Sequence, residues 1–221
     1  SGIKITAVNP ANSVTLSSSG LNNGNNKIFN VADGDVMVGS KEAVNGSQLY
    51  SLASTVAANK TKYYSVNTMA ISNANNDGAT GDNAMAMGGN ASALGSQTIA
   101  IGSGESGQHT TALGEQSIAI GANVVSRGGS SIAIGGDDLN AASEANLDGT
   151  SNIGKNTGTV NTVFKSYTGR DLVEPAYYAR NTEATGAASI AIGSKSLSTG
   201  DLSTAIGVQS STAGIAASAF G

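Results

Sequence analysis

The chain has 221 residues, 30 of them glycine, with 4% aromatic residues, no cysteine and a net charge of −4. So little bulky apolar surface excludes an ordinary compact globule, and the lack of cysteine excludes disulfides and thiolate metal sites. Nucleic acid is not an expected partner, because the chain is mildly acidic and has no cluster of lysines or arginines to neutralise phosphates.

Residues 1–29 predict a short β region. Ile3 and Ile5 lie two positions apart, and so do Val14 and Leu16 further on. A period of two is typical of a strand, because successive side chains then point to opposite faces. A turn-forming stretch that contains a proline separates the two pairs, so at least two strands are expected in this region.

Residues 30–52 read NVADGDVMVGSKEAVNGSQLYSL and contain two short motifs, NVA-x-G and AVN-x-x-QL. Ser40 precedes the apolar pair Ala43 and Val44, and serine is a good N-cap. The stretch therefore predicts a helix that begins at Ser40. The residues of the two motifs are Asn30, Val31, Ala32, Gly34, Ala43, Val44, Asn45, Gln48 and Leu49.

Residues 49–64 keep the alternating three- and four-residue spacing of a coiled-coil core. The predicted core positions are Leu49, Val56 and Tyr63 at a, with Leu52 and Asn59 at d. About two heptads are too short to be stable alone, so the structures on either side are expected to hold this helix in place. The polar d residue, Asn59, is expected to set register and oligomeric state.

From residue 65 onward the chain is organised by one five-residue phrase, SIAIG, and its variants. The glycines that close the phrase follow one another in steps of 14 residues, interrupted by two insertions. They are Gly88, Gly102, Gly121, Gly135, Gly193, Gly207 and Gly221. A second glycine lies half-way along each repeat, at Gly81, Gly95, Gly114, Gly128, Gly186, Gly200 and Gly214. A fixed period with insertions predicts a solenoid, in which each turn has two short strands and two tight corners.

The two faces of the phrase differ in side-chain size. Ile99 and Ile101 lie on the large face of one copy, and the opposite face carries only Ser, Thr, Ala or Gly. So small a face indicates close approach by another backbone, and one interpretation places it against a second chain. A single coil of this kind buries few large residues, so self-association is expected.

Two insertions interrupt the period. The shorter one adds five residues between Gly102 and Gly114 and carries Glu105 and His109. We interpret this pair as part of an exposed loop, because no further metal ligand or acid–base partner lies nearby in the sequence.

The longer insertion, at about residues 136–185, adds about 44 residues and differs in composition from the repeats. Interfaces draw much of their binding energy from tyrosine and arginine, so this insertion is the candidate ligand surface. The candidate residues are Tyr167, Arg170, Tyr177, Tyr178 and Arg180. The alternative is that the aromatic residues pack the insertion onto the roll or a neighbouring subunit. Its stretch TVNTVFKSYTG alternates in a way that predicts a strand.

The tandem SIAIG phrases resemble the heads of trimeric autotransporter adhesins, the YadA-like left-handed parallel β-roll. The motifs NVA-x-G and AVN-x-x-QL resemble the neck of the same family. The resemblance implies a mostly β, homotrimeric fold. Its expected parts are an N-terminal β region at 1–29, a neck at 30–52, a short trimeric coiled coil at 49–64, and a head β-roll at 65–221 with the insertion at about 136–185.

The resemblance also implies a role for Asn59. Val56 and Asn59 are similar to the Val-x-x-Asn motif of this family's stalks, in which three core asparagines enclose a halide ion, so chloride is expected at Asn59. The sequence departs from the family at Lys60, where threonine is usual. No other cofactor and no metal is expected.

On this resemblance the chain is expected to be a structural and adhesive segment of a bacterial surface fibre, outside the outer membrane. The membrane anchor is expected to lie outside this fragment. The expected partners are two further copies of the chain and a host cell, an extracellular-matrix protein or another surface. No enzyme is expected, because the repeats offer no converging titratable groups. A β-solenoid enzyme and an ice-binding solenoid are the alternatives.

Overall fold

The computed structural model describes residues 2–59, 65–67, 72–104, 107–178 and 181–221, with only the backbone of residues 177 and 178. Two compact units divide the chain, Ser1–Tyr64 and Ser65–Gly221. Tyr63, predicted at a coiled-coil core position, lies outside the described residues.

The first unit begins with a three-stranded antiparallel sheet. Its strands are β1 (Ile3–Ile5), β2 (Val14–Ser17) and β3 (Gly20–Asn22), in the spatial order β1-β2-β3. A short 3-10 turn at Pro10–Asn12 lies between β1 and β2, and the side chain of Asn9 caps it by accepting the N–H of Ala11. Proline suits the first position of such a turn, because its fixed φ fits and its missing N–H is not needed there.

One face of this sheet is apolar and exposed. Ile3 pairs with Leu16, and Leu16 pairs with Leu21, so these side chains lie side by side. All three are exposed to solvent. Among the described residues of this unit, Ser13 has the one buried side chain, and it is polar. The described part of the unit therefore has no hydrophobic core within a single chain.

The helix α1 (Gly46–Ala58) begins after Asn45, so the predicted start at Ser40 is wrong. The side chain of Asn45 accepts the N–H groups of Ser47 and Gln48, and Gln48 completes a capping box. Ser40 closes the turn before this segment. Asn45 is the cap because the capping box satisfies backbone donors at both of its residues.

The helix ends with Asn59 as its C-cap, where the backbone N–H of Asn59 donates to the carbonyl oxygen of Thr55 at 2.9 Å. The rest of the predicted coiled coil, residues 60–64, lies outside the described residues. The predicted core positions Leu49, Leu52 and Val56 are all exposed within a single chain.

The second unit is a roll made of two parallel sheets. The phrase strands form a seven-stranded sheet of β4 (Met85–Met87), β6 (Ile99–Ser103), β8 (Ile118–Ala122), β10 (Ile132–Gly135), β12 (Ile190–Ile192), β14 (Thr204–Ile206) and β16 (Ser218–Phe220). The second sheet has six strands, β5 (Ala91–Ala93), β7 (Thr110–Ala112), β9 (Val124–Ser126), β11 (Thr182–Ala184), β13 (Leu197–Ser198) and β15 (Ser211–Thr212). The chain alternates between the two sheets, so each turn contributes one strand to each.

Successive phrase strands pair in register, with alanine beside alanine. Ala100 pairs with Ala119, and Ala119 pairs with Ala133. The register continues across the long insertion, because Ala133 pairs with Ala191. The 14-residue period of the sequence is therefore one turn of the roll, as predicted.

The small face of each phrase points into the roll. Ala100, Ala119, Ala133 and the serines Ser117 and Ser131 are fully buried. The interpretation that placed this face against a second chain is therefore wrong. The alanines of both sheets form one core, so the backbone that approaches the small face is the other sheet of the same roll. Only small side chains fit between two sheets of so thin a coil.

Hydroxyl groups inside the roll bond to the backbone at the corners. The Oγ of Ser131 donates to the carbonyl oxygen of Gly128 at 2.7 Å, and the Oγ of Ser203 donates to that of Gly200 at 2.6 Å. These hydrogen bonds satisfy hydroxyls that burial would otherwise leave at a cost. Serine therefore fills the core and closes the corner at once.

In every turn but the last, both glycines lie where a side chain would not fit. Gly121 closes a phrase with a φ of 133°, a conformation that a side chain would strain. Gly128 lies at the half-way corner, where a Cβ would lie 1.9 Å from the carbonyl oxygen of Gly186 in the next turn. A Cβ on Gly121 would also clash with the carbonyl oxygen of Gly135 in the next turn, so the phrase glycine is required for both conformation and space, and the half-way glycine for space.

The long insertion leaves the roll between β10 and β11 and contains three short helices. Its helices are α2 (Asn140–Glu144), α3 (Thr159–Thr168) and α4 (Pro175–Tyr178). The strand predicted for TVNTVFKSYTG is wrong, because this stretch forms α3 and ends at Gly169, whose φ is 75°. The same stretch also fits a helical period. Val160 and Phe164 lie on the covered side of the helix, and Val163 and Tyr167 lie on the exposed side.

Candidate interaction surfaces

The outward side chains of the phrase strands form one apolar face, which we call the isoleucine face. Its apolar residues are Met85, Met87, Ile99, Ile101, Ile118, Ile120, Ile132, Ile134, Ile190, Ile192, Ile206 and Phe220. The isoleucines are half-buried by their neighbours along the sheet, and no outward position of these strands carries a charge. A contiguous apolar face of this extent marks an interface.

The neck motif is held together by Asn45 and Gln48. The Nδ2 of Asn45 donates to the carbonyl oxygen of Val31 at 2.9 Å and to a carboxylate oxygen of Asp33 at 2.7 Å. Gln48 bonds twice to the backbone of Gly34, accepting its N–H at 3.1 Å and donating to its carbonyl oxygen at 2.6 Å. These hydrogen bonds join the two motifs of the neck directly.

The tip of the neck is apolar and exposed. It carries Val36, Met37 and Val38, all of which face solvent in the single chain. The chain doubles back tightly beside them, since a Cβ on Gly34 would lie 2.4 Å from the carbonyl oxygen of Ala43. The described part of the first unit thus presents apolar side chains on its sheet, its neck and its helix.

Asn59, the predicted anion site, lies at the end of α1 and is exposed in the single chain. Its side-chain amide carries two N–H donors, which are groups able to hold an anion. Because the residue is exposed, an enclosed ion would require further copies of the chain around it.

Tyr167, a residue of the candidate ligand surface, is 86% exposed on the outer side of α3. Arg170 follows at the end of the same helix, and its guanidinium carbon lies 5.7 Å from the centre of the Phe164 ring, within reach of a cation–π interaction. Tyr177 and Tyr178 belong to α4, without described side chains, and Arg180 lies outside the described residues. Tyr167 is thus open to solvent, whereas Arg170 lies against Phe164.

The insertion is anchored to the roll by residues that the sequence analysis did not identify. The Nε2 of Gln209 donates to the carbonyl oxygen of Leu172 at 2.6 Å. The N–H of Leu172 donates to Asn161 at 2.7 Å, and the N–H of Val173 donates to Asn156 at 3.0 Å. No local signal marks these contacts, because asparagine and glutamine are common along the chain and each bond joins distant positions.

Titratable groups in the described part of the chain do not form a metal cluster of three or more histidine or carboxylate ligands. His109 is exposed, and Glu105 lies outside the described residues. A hydrogen bond from Asn161, together with Lys165 at 2.9 Å, lowers the pKa of Asp171 below its usual value. Both partners of the Asp171 carboxylate lie on α3, so these contacts serve to hold the insertion together.

Two family models match the chain. The model described as the YadA head domain repeat matches residues 79–104, 106–123, 180–196 and 198–221. The model described as the coiled stalk of trimeric autotransporter adhesin matches residues 27–72. Together they match more than half of the chain, and most of the long insertion lies outside them. Neither the curated proteins nor the solved structures gave a match.

A roll of tandem SIAIG turns that follows a capped neck helix defines the class of this protein, a β-solenoid head joined to a stalk. The chain belongs to the trimeric autotransporter adhesins, with YadA-like head repeats, which confirms the resemblance seen in the sequence. The family is one of adhesins and not of enzymes. Within the described ranges, no helix has the length and apolar character needed to cross a membrane.

Proposed function

We propose that this chain is a structural and adhesive segment of a bacterial surface fibre that attaches to host cells, extracellular-matrix proteins or other surfaces. The observation that carries the proposal is the isoleucine face, because so large an apolar face needs a partner and identical copies supply identical faces. Family membership supports the number of copies, three.

In the proposed homotrimer, the isoleucine faces of three left-handed rolls pack around a common axis. The first unit supports the same conclusion independently, because Ile3, Leu16 and Leu21 are exposed and no core lies beneath them among the described residues. Sedimentation equilibrium is expected to give three times the chain mass for a folded sample. A folded monomer would contradict the trimer.

In this proposal the fibre is displayed on the bacterial surface, outside the outer membrane. Its mechanism is display and not chemistry. Three copies of each surface site at fixed spacing raise the effective concentration of the second and third contacts, so that weak individual contacts add up to firm attachment.

The ligand surface is assigned to the insertion, at Tyr167, Arg170, Tyr177, Tyr178 and Arg180. Tyr167 is exposed in the single chain, so its ring does not pack the insertion onto its own roll, and this supports the assignment. The anchoring of the insertion through other groups supports it as well. The repeats offer mainly short polar side chains to a partner, which provide little binding energy.

Asn59 is proposed to face the trimer axis and to hold a chloride ion with its two symmetry copies. Crystals soaked in bromide are expected to show an anomalous peak on the axis at this residue. Side chains turned away from the axis, with no peak, would contradict both the coiled-coil register and the ion.

Removal of residues 138–181 tests the ligand surface while keeping the roll intact. In the preceding turn two residues separate Gly121 from Val124, and the paired positions in the next turn are Gly135 and Thr182. Keeping two residues after Gly135 therefore preserves the corner and the register. The shortened protein is expected to form trimers and to lose binding to plates coated with solubilised extracellular matrix and to fixed epithelial cells.

A single substitution tests the ligand surface without changing the fold. Tyr167→Ala is expected to weaken binding to the same plates by roughly tenfold or more, as truncation of an interface tyrosine commonly does. Leu202→Ala is the matched control, because Leu202 is also large and exposed but lies at a corner of the roll. Unchanged binding after both the deletion and Tyr167→Ala would show that the repeats carry adhesion.

A further inference from the structure

Two corner residues of the roll are unusually large and well covered. Lys195 and Gln209 are 3% and 8% exposed, and both have a positive φ. Asn90 and Asn123 occupy the same corner of earlier turns, and asparagine is the side chain that tolerates this conformation well. At the opposite corner, Leu202 has a similar φ but is 62% exposed. Asn90 is also buried at this corner, at 4% exposed, so it is the size of Lys195 and Gln209 that needs a local explanation.

The insertion supplies that explanation at Gln209. The Nε2 of Gln209 donates to the carbonyl oxygen of Leu172, which lies 37 residues earlier in the chain. The N–H of Leu172 in turn donates to Asn161 on α3. Both polar groups of one peptide residue are thus held, one by the roll and one by the helix that carries Tyr167.

Lys195 lies at the base of the insertion. Its backbone N–H bonds to the carbonyl oxygen of Gly136 and to the Oγ1 of Thr182, each at 3.0 Å, and these residues flank the insertion. Burial lowers the pKa of Lys195, and the charges of Asp137 and Asp138 oppose that effect. The turn that contains Lys195 therefore holds the base of the insertion, and the next turn, which contains Gln209, holds Leu172.

We propose that Gln209 is a positioning residue, which holds the insertion in one pose and so preorganises the ligand surface around Tyr167. This inference rests on the proposed function of the insertion. A surface that is already ordered loses less conformational entropy when it binds, so its affinity is higher for the same contacts. Gln209 itself lies beneath the insertion and takes no part in the ligand surface.

Three backbone amides report directly on this pose. The N–H groups of Asp171, Leu172 and Val173 each donate to a side-chain oxygen within the insertion. Gln209→Met keeps the length of the side chain and removes the donor to Leu172. Hydrogen exchange at these amides is expected to rise by roughly five- to tenfold, the change that one lost net hydrogen bond produces.

The roll is expected to keep its melting temperature in Gln209→Met. The Oε1 of Gln209 is buried without a hydrogen-bond partner among the described residues, so methionine removes an unsatisfied acceptor together with the donor. Gln97→Met is the matched control, because Gln97 has a φ of 58° and lies at an exposed corner. Gln209→Lys restores a donor at the same corner and is expected to restore slow exchange.

Binding to plates coated with solubilised extracellular matrix completes the test. Gln209→Met is expected to weaken binding several-fold, and Gln209→Lys to recover it. Unchanged exchange at Leu172 and Val173, or an equal rise in Gln97→Met, would overturn the proposal. Faster exchange with undiminished binding would overturn it too. If Tyr167→Ala leaves binding unchanged, the ligand surface itself is wrong, and that result is distinct from a failure of Gln209→Met alone.

Discussion

The two units of the chain differ in how they bury side chains. The roll encloses Ala100, Ala119 and Ala133 completely, whereas the described part of the first unit leaves Ile3 and Leu16 in solvent. The better-buried residues are the less hydrophobic ones. Closure of a coil, and not the size of its side chains, therefore decides what a single chain can bury in this protein.

This difference predicts which unit is stable within a single chain and which needs further copies. The apolar area removed from water per alanine is small, but it is removed within one chain and at every turn. In the proposed trimer the first unit gains comparable burial from neighbouring copies, so its stability is expected to depend on protein concentration. The roll is the part of the chain that specifies its own structure.

The largest expected effect concerns the space at the half-way corners. Gly128→Ala would place a methyl group 1.9 Å from the carbonyl oxygen of Gly186, so the roll is expected to lose on the order of 3 kcal/mol of unfolding free energy. Gly129→Ala is the control, because the nearest atom to its Cβ is 3.9 Å away. Chemical denaturation followed by circular dichroism measures both. Equal stability of the two variants would contradict the close stacking of the corners.

A second variant tests the core of small residues. Ala119→Leu adds bulk inside a closed coil and is expected to cost about 1–3 kcal/mol of unfolding free energy, as overpacking commonly does. Ile120→Leu, one position along on the outward face, keeps its volume and is expected to change stability little. Thermal melts of the two proteins compare them. A destabilised Ile120→Leu beside a stable Ala119→Leu would reverse the assignment of the two faces.

The first unit is expected to respond to its neck contacts. Asn45→Ala removes the cap of α1 and both bonds to Val31 and Asp33, and loss of such a cap costs about 1–2 kcal/mol. Hydrogen exchange is expected to quicken in the first turn of α1 and to stay unchanged in the roll. Ser54→Ala, at an exposed position of the same helix, is the control. Faster exchange throughout the roll would show that the two units are not independent.

The smallest expected effect is acid loosening of the insertion. The pKa of Asp171 is lowered by Asn161 and Lys165, so the folded state favours the ionised carboxylate. Its contribution is complete above the ordinary value of 3.8 and is lost as the pH falls through the lower folded pKa. As the pH falls from 4 to 2, pepsin is expected to cleave the insertion before the roll, and Asp171→Asn is expected to remove the pH dependence of that cleavage, because asparagine does not titrate.

Much of the roll was predictable because its pattern repeats. The glycine period gave the turn, and the alternation of Ile99 and Ile101 gave the strand. The sequence could not show which face closes on itself, because size alone does not distinguish an interior from a contact between chains. That information appears only in the burial of residues such as Ala119.

The insertion was less predictable because its contacts are not local. Val163 and Phe164 favour a strand by propensity, yet the stretch is a helix that ends at a left-handed Gly169 and is tied down through Asn161. Gln209 is separated from Leu172 by a helix and several turns of the roll. No spacing in the sequence indicates such a bond. The composition of the insertion revealed its aromatic residues, but it gave no sign of the hydrogen bonds through Asn161 and Gln209 that hold them in place.

The close stacking of the half-way glycines determines how the roll grows when repeats are added. At Gly114, Gly128 and Gly186 a Cβ would lie 1.9 to 2.1 Å from a carbonyl oxygen of the following turn, so the backbones of successive turns stack closely at this corner. Each added repeat then lengthens the roll by one strand spacing, about 4.8 Å. A gene that gains or loses one 14-residue unit therefore changes the length of the roll by one whole step and leaves the register of the remaining strands unchanged.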